Sequence, residues 1–295
     1  MIASGTVPVG EVAIIGLGVI GGSAALRLRQ RGTALLAFSA SSADSAMAAA
    51  AGIPVTTSVD EAVRQAGLVL IAVPLDAVAR VAQAVAGAAP SRATILHAAS
   101  LQRREAIDAM PEIAERMIGT HPLAGSHRTG FAAAAQDLFH LSTVYVERRA
   151  NARQREDAEL FWSLVGATHI EYASAEQHDR AMAWASHLPQ LASTVLASTL
   201  ARSAVSVEGS RDRLVSRPGP GARDATRLAM SALDIWRPIL QRAPQATLDA
   251  LRTLEEEIQA LRAGLEEGDW NAVRNVWERA QRWRSSIESD EGDSA

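Results

Sequence analysis

The sequence predicts an α/β fold, with an N-terminal Rossmann-like, doubly wound and mostly parallel sheet followed by an all-α helical domain. Three observations predict it. Short apolar runs alternate with helical patterns over residues 12–172, a glycine-rich turn follows the first run, and almost everything after Ala173 has a helical pattern. A chain of 295 residues has room for roughly two domains.

Seven short runs of apolar or β-branched residues have the composition of buried strands. In chain order they are residues 12–15, 34–38, 68–73, 94–96, 117–118, 144–146 and 168–172. Helical patterns over 23–31, 75–86 and 151–165 connect several of them, and Gly32 suits the C-terminus of the first. This alternation favours parallel strands joined by helices.

The second half of the chain has the pattern of long helices. Residues 174–200 contain a single proline, and residues 245–265 carry six leucine or isoleucine side chains three or four positions apart. Residues 209–223 predict a loop, and Asp269 is a good N-cap for a last helix over 270–287. We therefore expect a dinucleotide-binding domain at 1–173, a helical substrate and dimerisation domain at 174–288, and a disordered acidic tail at 289–295.

Composition excludes several classes of site. The chain has no cysteine, and all 29 of its basic residues are arginine, so it has no thiolate, Cys-based zinc site, Schiff-base lysine or P-loop lysine. A net charge of −4 disfavours a nucleic-acid partner. The N-terminus lacks a signal-peptide pattern, and no uncharged run reaches the ~18 apolar residues that a membrane helix needs. We expect a cytoplasmic protein with no membrane partner and no metal.

The turn after the first strand has the pattern G-x-G-x-x-G. The first glycine suits a tight turn, the second lets the backbone approach a pyrophosphate, and the third lets the helix pack on the strand. The strand–turn–helix context predicts a dinucleotide site, although a glycine turn with only a packing role is the alternative. The expected cofactor-binding residues are Gly16, Gly18, Val19, Ile20, Gly21, Ser39, Val73 and Pro74.

The end of the second strand bears on the choice of nucleotide. An acidic residue there would hold the ribose 2′-hydroxyl of NAD, but Ser39 occupies the place, and no acid lies between Glu11 and Asp44. Without a carboxylate, nothing repels a 2′-phosphate, so we expect NADP. NAD stays possible, because no arginine lies between Arg31 and Arg64 to bind that phosphate.

A histidine lies at the end of the fifth predicted strand. His121, in the segment GTHPLAG, is placed at the carboxyl edge of the sheet, where a nicotinamide would lie in such a fold. Taken alone, a histidine in a polar loop is more often structural than catalytic. The segment therefore gains its meaning from the motifs around it.

These motifs as a set resemble the prephenate and arogenate dehydrogenase family of tyrosine biosynthesis. They are GLGVIGGS, GTHPLAG, a glycine and Leu-Phe pair within 130–139, HDRAMAWASHLPQ and GARDATRLAMSALDIW, in that order. The likeness extends roughly from residue 11 to residue 285. It implies an NAD(P)-dependent oxidative decarboxylation of prephenate or arogenate, which are small anionic substrates, and a homodimer formed through the helical domain.

The resemblance also implies roles for individual residues. His121 matches the catalytic general base, Ser100 a serine that hydrogen-bonds near it, and Arg227 the arginine that holds the ring carboxylate of the substrate. Further expected substrate-site positions are His127, His178, Ser186, His187 and Gln190. Lysine-dependent dehydrogenases with the same glycine turn are excluded, because this chain has no lysine.

The chain departs from the family pattern near the substrate. His97 and Gln102 replace an Asp and a Lys that many members have, His127 replaces a Glu, and Gln190 replaces a second His. These changes leave both prephenate and arogenate possible as substrates. Whether tyrosine inhibits the enzyme by feedback is also left open by the sequence. A non-catalytic nucleotide sensor and a dehydrogenase of 4-amino-4-deoxyprephenate are the alternative functions.

Apolar residues near the C-terminus bear on assembly. The leucine-rich stripe of 245–265 is expected mainly to pack within the chain, and its length also suits pairing with another subunit. Trp270, Trp277 and Trp283 are likewise expected to pack within the chain, with a partner surface as the alternative.

Overall fold

The computed structural model describes residues 11–102, 105–108, 110–126, 128–205, 219–242 and 244–292. Its strands are β1 (Val12–Ile15), β2 (Leu35–Phe38), β3 (Leu68–Ile71), β4 (Thr94–His97), β5 (Met117–Pro122), β6 (Thr143–Glu147) and β7 (His169–Ala173). The helices of its first part are α1 (Val19–Gln30), α2 (Ser42–Ala50), α3 (Val59–Val63), α4 (Val78–Ala88), α5 (Glu105–Asp108), α6 (Pro111–Ala114) and α7 (Ala152–Val165). Those that follow are α8 (Ala175–Met182), α9 (Leu188–Val205), α10 (Pro220–Ala225), α11 (Leu233–Arg242), α12 (Pro244–Glu267) and α13 (Trp270–Gly292).

The seven strands form one sheet in the order β2-β1-β3-β4-β5-β6-β7. All neighbouring pairs are parallel except β5 and β6, which run antiparallel. Two apolar clusters cover the sheet, one built on Ile14, Leu70 and Trp162, and the other on Ile15 and Val69. Because side chains on both faces are buried, the strands are nearly continuous apolar runs. The predicted fold class is confirmed.

The helix predicted from residue 174 is interrupted after Met182. Ser174 begins α8 with a capping box shared with Gln177, and a π-helical turn at Ala183–His187 joins α8 to α9. Pro189 has no N–H to donate to the carbonyl four residues earlier, which explains the wider turn. The predicted loop at 209–223 is wrong at its end, because Pro220 starts α10 at a position that proline favours. Residues 209–218 of the predicted loop lie outside the described residues.

The chain packs as two compact units, Met1–Ala243 and Pro244–Ala295. Helices α8 to α11 pack as part of the first unit. The boundary expected near residue 173 therefore remains a prediction of where the nucleotide-binding role ends and the substrate-binding role begins. In the second unit Asp269 caps α13, as predicted, by accepting the N–H groups of Asn271 and Ala272. Helix α13 continues to Gly292, beyond the expected end at 287, because extending a helix costs less than starting one. Residues 293–295 of the expected tail lie outside the described residues.

The second unit exposes large apolar side chains. Trp270, Trp277 and Trp283 are each more than 60% exposed, and Ile258 and Leu265 are more than half exposed. The expectation that these tryptophans pack within the chain is wrong, and part of the leucine-rich stripe also faces solvent. A helix pattern identifies an apolar face but not what covers it.

No helix in the described part of the chain is both long enough and apolar enough to cross a membrane.

Candidate active site

The carboxyl ends of the parallel strands bring the predicted site residues to one edge of the sheet. Gly16 follows β1, Ser39 follows β2, Val73 follows β3 and Ser100 follows β4. His121 lies near the end of β5, two residues beyond the Gly119 that pairs with His97 of β4. The positions predicted for the cofactor and for catalysis therefore share an edge.

The three glycines of the turn have three different surroundings. Gly16 has φ +101°, and a Cβ there would lie 2.4 Å from the carbonyl oxygen of Ala72. A Cβ on Gly21 would lie 1.8 Å from the carbonyl oxygen of Gly16, whereas one on Gly18 would meet nothing within 4 Å. Gly16 and Gly21 thus allow close packing, and Gly18 leaves open space beside the backbone. This is the cradle that a pyrophosphate needs.

The start of α1 adds to this cradle. Gly18 is its N-cap and, as a glycine, has no side chain that could cap the first turn, so the N–H groups around Val19 and Ile20 receive no side-chain cap from it. Both residues are half-buried, as is Val73 across the turn, and Pro74 next to it is exposed. The residues present therefore fit the phosphates of a dinucleotide.

Hydroxyl groups surround the end of β2. The Ser39 hydroxyl accepts the N–H of Ser41, and the Ser45 hydroxyl donates to the Ser39 carbonyl. The nearest acid, Asp44, accepts the N–H of Phe131 at 2.7 Å, so its carboxylate holds the segment after Gly130. The described loop after β2 thus offers hydroxyls where many dinucleotide sites have an acid.

A buried cluster of histidines surrounds His121. Its Nδ1 lies 2.9 Å from Nε2 of His178 on α8, and the two rings meet edge to face. His178 is 1% exposed and His187 of the π-helical turn 2% exposed. Burial, followed by the charges of His178, His97 and His187, lowers the pKa of His121 to about 3. The imidazole is therefore neutral, and able to accept a proton, across the physiological pH range.

The other histidine on this helical segment has a similar environment. Burial is the largest cause that lowers the pKa of His187, the charge of His178 adds to it, and that of Asp179 opposes it. The His187 ring also packs edge to face on Trp236 of α11. His187 is thus a buried neutral group next to the candidate base.

The loop after β4 joins the sheet to α8 through Gln102. Its side-chain amide donates to the carbonyls of Ala99 at 2.9 Å and Thr120 at 3.2 Å, and its backbone N–H donates to Asp179 at 2.8 Å. Ser100 in the same loop is half-buried, and the described contacts include no hydrogen bond between it and His121. The hydrogen-bonded neighbour of His121 is instead His178.

The expected substrate arginine lies on the turn after α10. Arg227 begins a short 3₁₀ helix at Arg227–Met230, and its side chain is exposed and makes no ion pair within the described part of the chain. Gln190 on α9 is buried and donates to the carbonyl of Leu228 at 2.9 Å, which fixes this turn against α9. Ser186 is half-buried on the π-helical turn. His127 lies outside the described residues.

The sequence analysis assigns no site role to two polar residues that the structure places here. Asp179 is 5% exposed and bonds to His178, and Gln102 is 3% exposed and links three segments. The available signal for Asp179 was an acid directly after His178 in a helix expected to face the cleft. Within the described residues, no group of three or more His, Cys, Asp or Glu side chains is arranged to hold a metal ion.

Comparison with known proteins assigns both halves of the chain. Residues 24–171 match the prephenate dehydrogenase nucleotide-binding domain, and residues 174–279 match the prephenate dehydrogenase dimerization domain. The cyclohexadienyl dehydrogenase of Zymomonas mobilis is 30% identical over 290 residues, which cover 95% of this chain and 97% of that protein.

Solved structures show the same fold. The prephenate dehydrogenase of Aquifex aeolicus, in complex with hydroxyphenyl propionate and NAD⁺, matches with a TM-score of 0.81 at 23% identity, covering 97% of this chain and all of that one. The arogenate dehydrogenase of Synechocystis matches with a TM-score of 0.76 at 21% identity, covering 94% and 99%. With the family matches over both halves, this shows that the chain belongs to the prephenate dehydrogenase family.

Proposed function

We propose that this enzyme oxidatively decarboxylates prephenate or arogenate, with a nicotinamide dinucleotide as oxidant and His121 as the general base. The observation that carries the proposal is the neutral imidazole of His121 at the carboxyl edge of the sheet, hydrogen-bonded to His178. When bound, the nicotinamide would accept the hydride. The protein's own task is to take the proton from the ring hydroxyl and to hold the substrate's carboxylate.

His121 suits the proton-accepting role. A neutral imidazole that donates a hydrogen bond from one ring nitrogen has its other nitrogen available as an acceptor. Loss of carbon dioxide then makes the ring aromatic, which supplies the driving force, so the reaction does not require the lysine that the chain lacks.

Arg227 suits the binding of an anionic substrate. A guanidinium forms two parallel hydrogen bonds to a carboxylate, and this one has no competing ion pair among the described residues. The bond from Gln190 to the carbonyl of Leu228 holds the turn that carries it.

Ser39 and the hydroxyl-rich loop after β2 support the use of NADP. A 2′-phosphate meets no carboxylate there, because Asp44 is held by the N–H of Phe131. NAD fits the same loop less specifically, since no acidic side chain there accepts a hydrogen bond from its ribose 2′-hydroxyl.

A crossed assay tests the function. The purified enzyme is given prephenate or arogenate with NAD⁺ or NADP⁺, and reduced nicotinamide is followed by absorbance. We expect turnover with one of the two substrates and faster turnover with NADP⁺. Four rates at background, from protein shown to be folded and to bind nucleotide, would refute the proposal.

The glycine turn predicts a separation between stability and nucleotide binding. Gly18→Ala meets open space and has an ordinary φ of −71°, so we expect an unchanged melting temperature with about tenfold weaker nucleotide binding. Gly21→Ala should instead lower the stability by about 1–3 kcal/mol or more, because its Cβ collides with the Gly16 carbonyl. Thermal melts and nucleotide titrations measure both effects.

The control for this pair is Gly87→Ala on α4, which also meets open space. It should keep full nucleotide affinity and gain slightly in stability, as alanine favours a helix. Unaltered nucleotide affinity in the Gly18 variant would place the phosphates elsewhere.

The lowered pKa of His121 predicts the pH dependence of catalysis. A base with an ordinary pKa would lose activity as the pH falls through ~6.5. Since burial and three neighbouring histidines lower this pKa to about 3, the neutral base persists, and kcat/KM should stay level from about pH 7 down to about pH 5. Steady-state kinetics over this range, on protein checked for folding at each pH, provide the measurement. A fall in kcat/KM centred at pH ~6.5, with no matching fall in substrate binding, would contradict the prediction.

The exposed apolar side chains of α12 and α13 support a homodimer through the helical part of the chain. We expect light scattering to give twice the 31.2 kDa chain mass at micromolar concentration. Trp277→Glu should shift the equilibrium towards the monomer, because a charge would replace an exposed tryptophan on that surface. Met47→Glu, at an exposed apolar position on α2, serves as the control. A wild-type monomer would argue against this assembly.

A further inference from the structure

Three side chains form a continuous hydrogen-bonded line from the candidate base into the interior. His121 Nδ1 lies 2.9 Å from His178 Nε2, and His178 Nδ1 lies 2.8 Å from Asp179 Oδ1. His121 is half-buried, whereas His178 and Asp179 are almost completely buried. We propose that Asp179, acting through His178, is a positioning residue that fixes the tautomer of His121 and leaves its Nε2 free to accept the substrate's proton.

The direction of each hydrogen bond follows from the far end of the line. Oδ1 of Asp179 already accepts the backbone N–H of Gln102 at 2.8 Å, so this oxygen acts as an acceptor. The proton between it and His178 therefore lies on His178 Nδ1, which leaves Nε2 of that imidazole as the acceptor. That acceptor requires a proton on His121 Nδ1. Nε2 of His121 is consequently the unprotonated nitrogen.

The line is held in place from several sides. Tyr145 of β6 packs edge to face on the His178 ring at 5.1 Å, and Gln102 ties Asp179 to the loop after β4. Neighbouring residues on a helix do not normally face each other, so the contact between His178 and Asp179 depends on this packing. These contacts therefore orient the rings of both His178 and His121, and not only the hydrogen bond between His178 and Asp179.

Asp179 also acts by charge. The titratable groups around His121 are His97 on β4, His187 on the π-helical turn and His178 on α8, all of which oppose a positive charge on it. The carboxylate of Asp179 has the opposite effect on the neighbouring His187, whose pKa its charge raises, and among the described residues its Oδ2 has no hydrogen-bond partner. A buried carboxylate of this kind is better satisfied once a cation forms nearby.

The proposed step removes one proton and one hydride from the substrate. The hydroxyl proton of the substrate would move to His121 Nε2, and a bound nicotinamide would supply the acceptor for the hydride on the same carbon. His121 becomes an imidazolium whose Nδ1–H remains in place and donates a hydrogen bond to His178 Nε2. His178 and Asp179 neither gain nor lose a proton in this step. This inference rests on the proposed function, since it assumes that His121 is the base.

Histidine tautomers can be observed without turnover. In protein labelled with ¹⁵N in its seven histidines, long-range proton–nitrogen spectra distinguish protonated from bare ring nitrogens. We expect a protonated Nδ1 and a bare Nε2 on His121 in the wild-type enzyme, and loss of this single tautomer in Asp179→Asn. A wild-type His121 protonated at Nε2, or an Asp179→Asn spectrum identical to wild type, would overturn the proposal.

Kinetics give the second measurement. Asp179→Asn should lower kcat about 10–100-fold with little change in the KM for nucleotide, and the loss should be no larger when His178→Gln is already present. Independent, multiplicative losses would overturn the proposal. Asp157→Asn removes one charge at the opposite, amino end of β4, where Asp157 bonds to Thr94, and should keep wild-type kcat.

The two measurements separate this inference from the proposed function. If neither prephenate nor arogenate turns over, the reaction assignment fails, but the spectra still decide whether Asp179 sets the tautomer of His121. If turnover is present and the tautomer is the opposite one, only the inference fails.

Discussion

His121→Asn should lower kcat by about 10²–10⁴-fold, the usual contribution of a general base. Asparagine keeps a polar group of similar reach but cannot take up the hydroxyl proton, so the loss should fall on turnover. Nucleotide affinity should be nearly unchanged, because the glycine turn and the loop after β2, which are expected to hold the nucleotide, belong to other segments of the chain. Steady-state kinetics with nucleotide titration measure both quantities.

The matched control is His140→Asn, which makes the same substitution at an exposed histidine. It should turn over at the wild-type rate. Equal activity in the two variants would remove His121 from the mechanism. Equal loss of nucleotide binding and turnover in His121→Asn would instead indicate a damaged fold, which a thermal melt would reveal.

The strands of this fold were predictable because parallel strands buried on both faces are nearly continuous apolar runs. β1 and the other central strands follow that rule. The strand with the catalytic candidate was predicted only as residues 117–118, whereas β5 extends to Pro122. Its second half contains Thr120 and His121, and it is a strand because β6 pairs with it. Such long-range pairing leaves no local pattern.

The site was predictable in its parts but not in its connections. Resemblance pointed to His121 and His178 separately, while the line that joins them to Asp179 depends on how α8 packs on the loop after β4. The exposed tryptophans show the same limit, since helical spacing defines an apolar face without identifying its partner.

Arg227→Ala should lower kcat/KM by about 10²-fold, mainly through a higher KM for prephenate or arogenate. Each charge-assisted hydrogen bond contributes about 1.5–3 kcal/mol, and the exposure of this arginine reduces the total of two such bonds to about 2–3 kcal/mol. Arg227→Lys should recover only part of the loss, since an ammonium cannot make two parallel bonds to one carboxylate. Initial rates against substrate concentration separate KM from kcat.

Arg252→Ala provides the charge-matched control, because this exposed arginine pairs with Asp249 on α12. A wild-type KM in Arg227→Ala would place the carboxylate site elsewhere. Loss of kcat alone would mean that Arg227 acts on the transition state and not on substrate binding. A raised KM at constant kcat would instead show that Arg227, on the turn held by Gln190, binds the anion before any bond changes and takes no part in proton transfer.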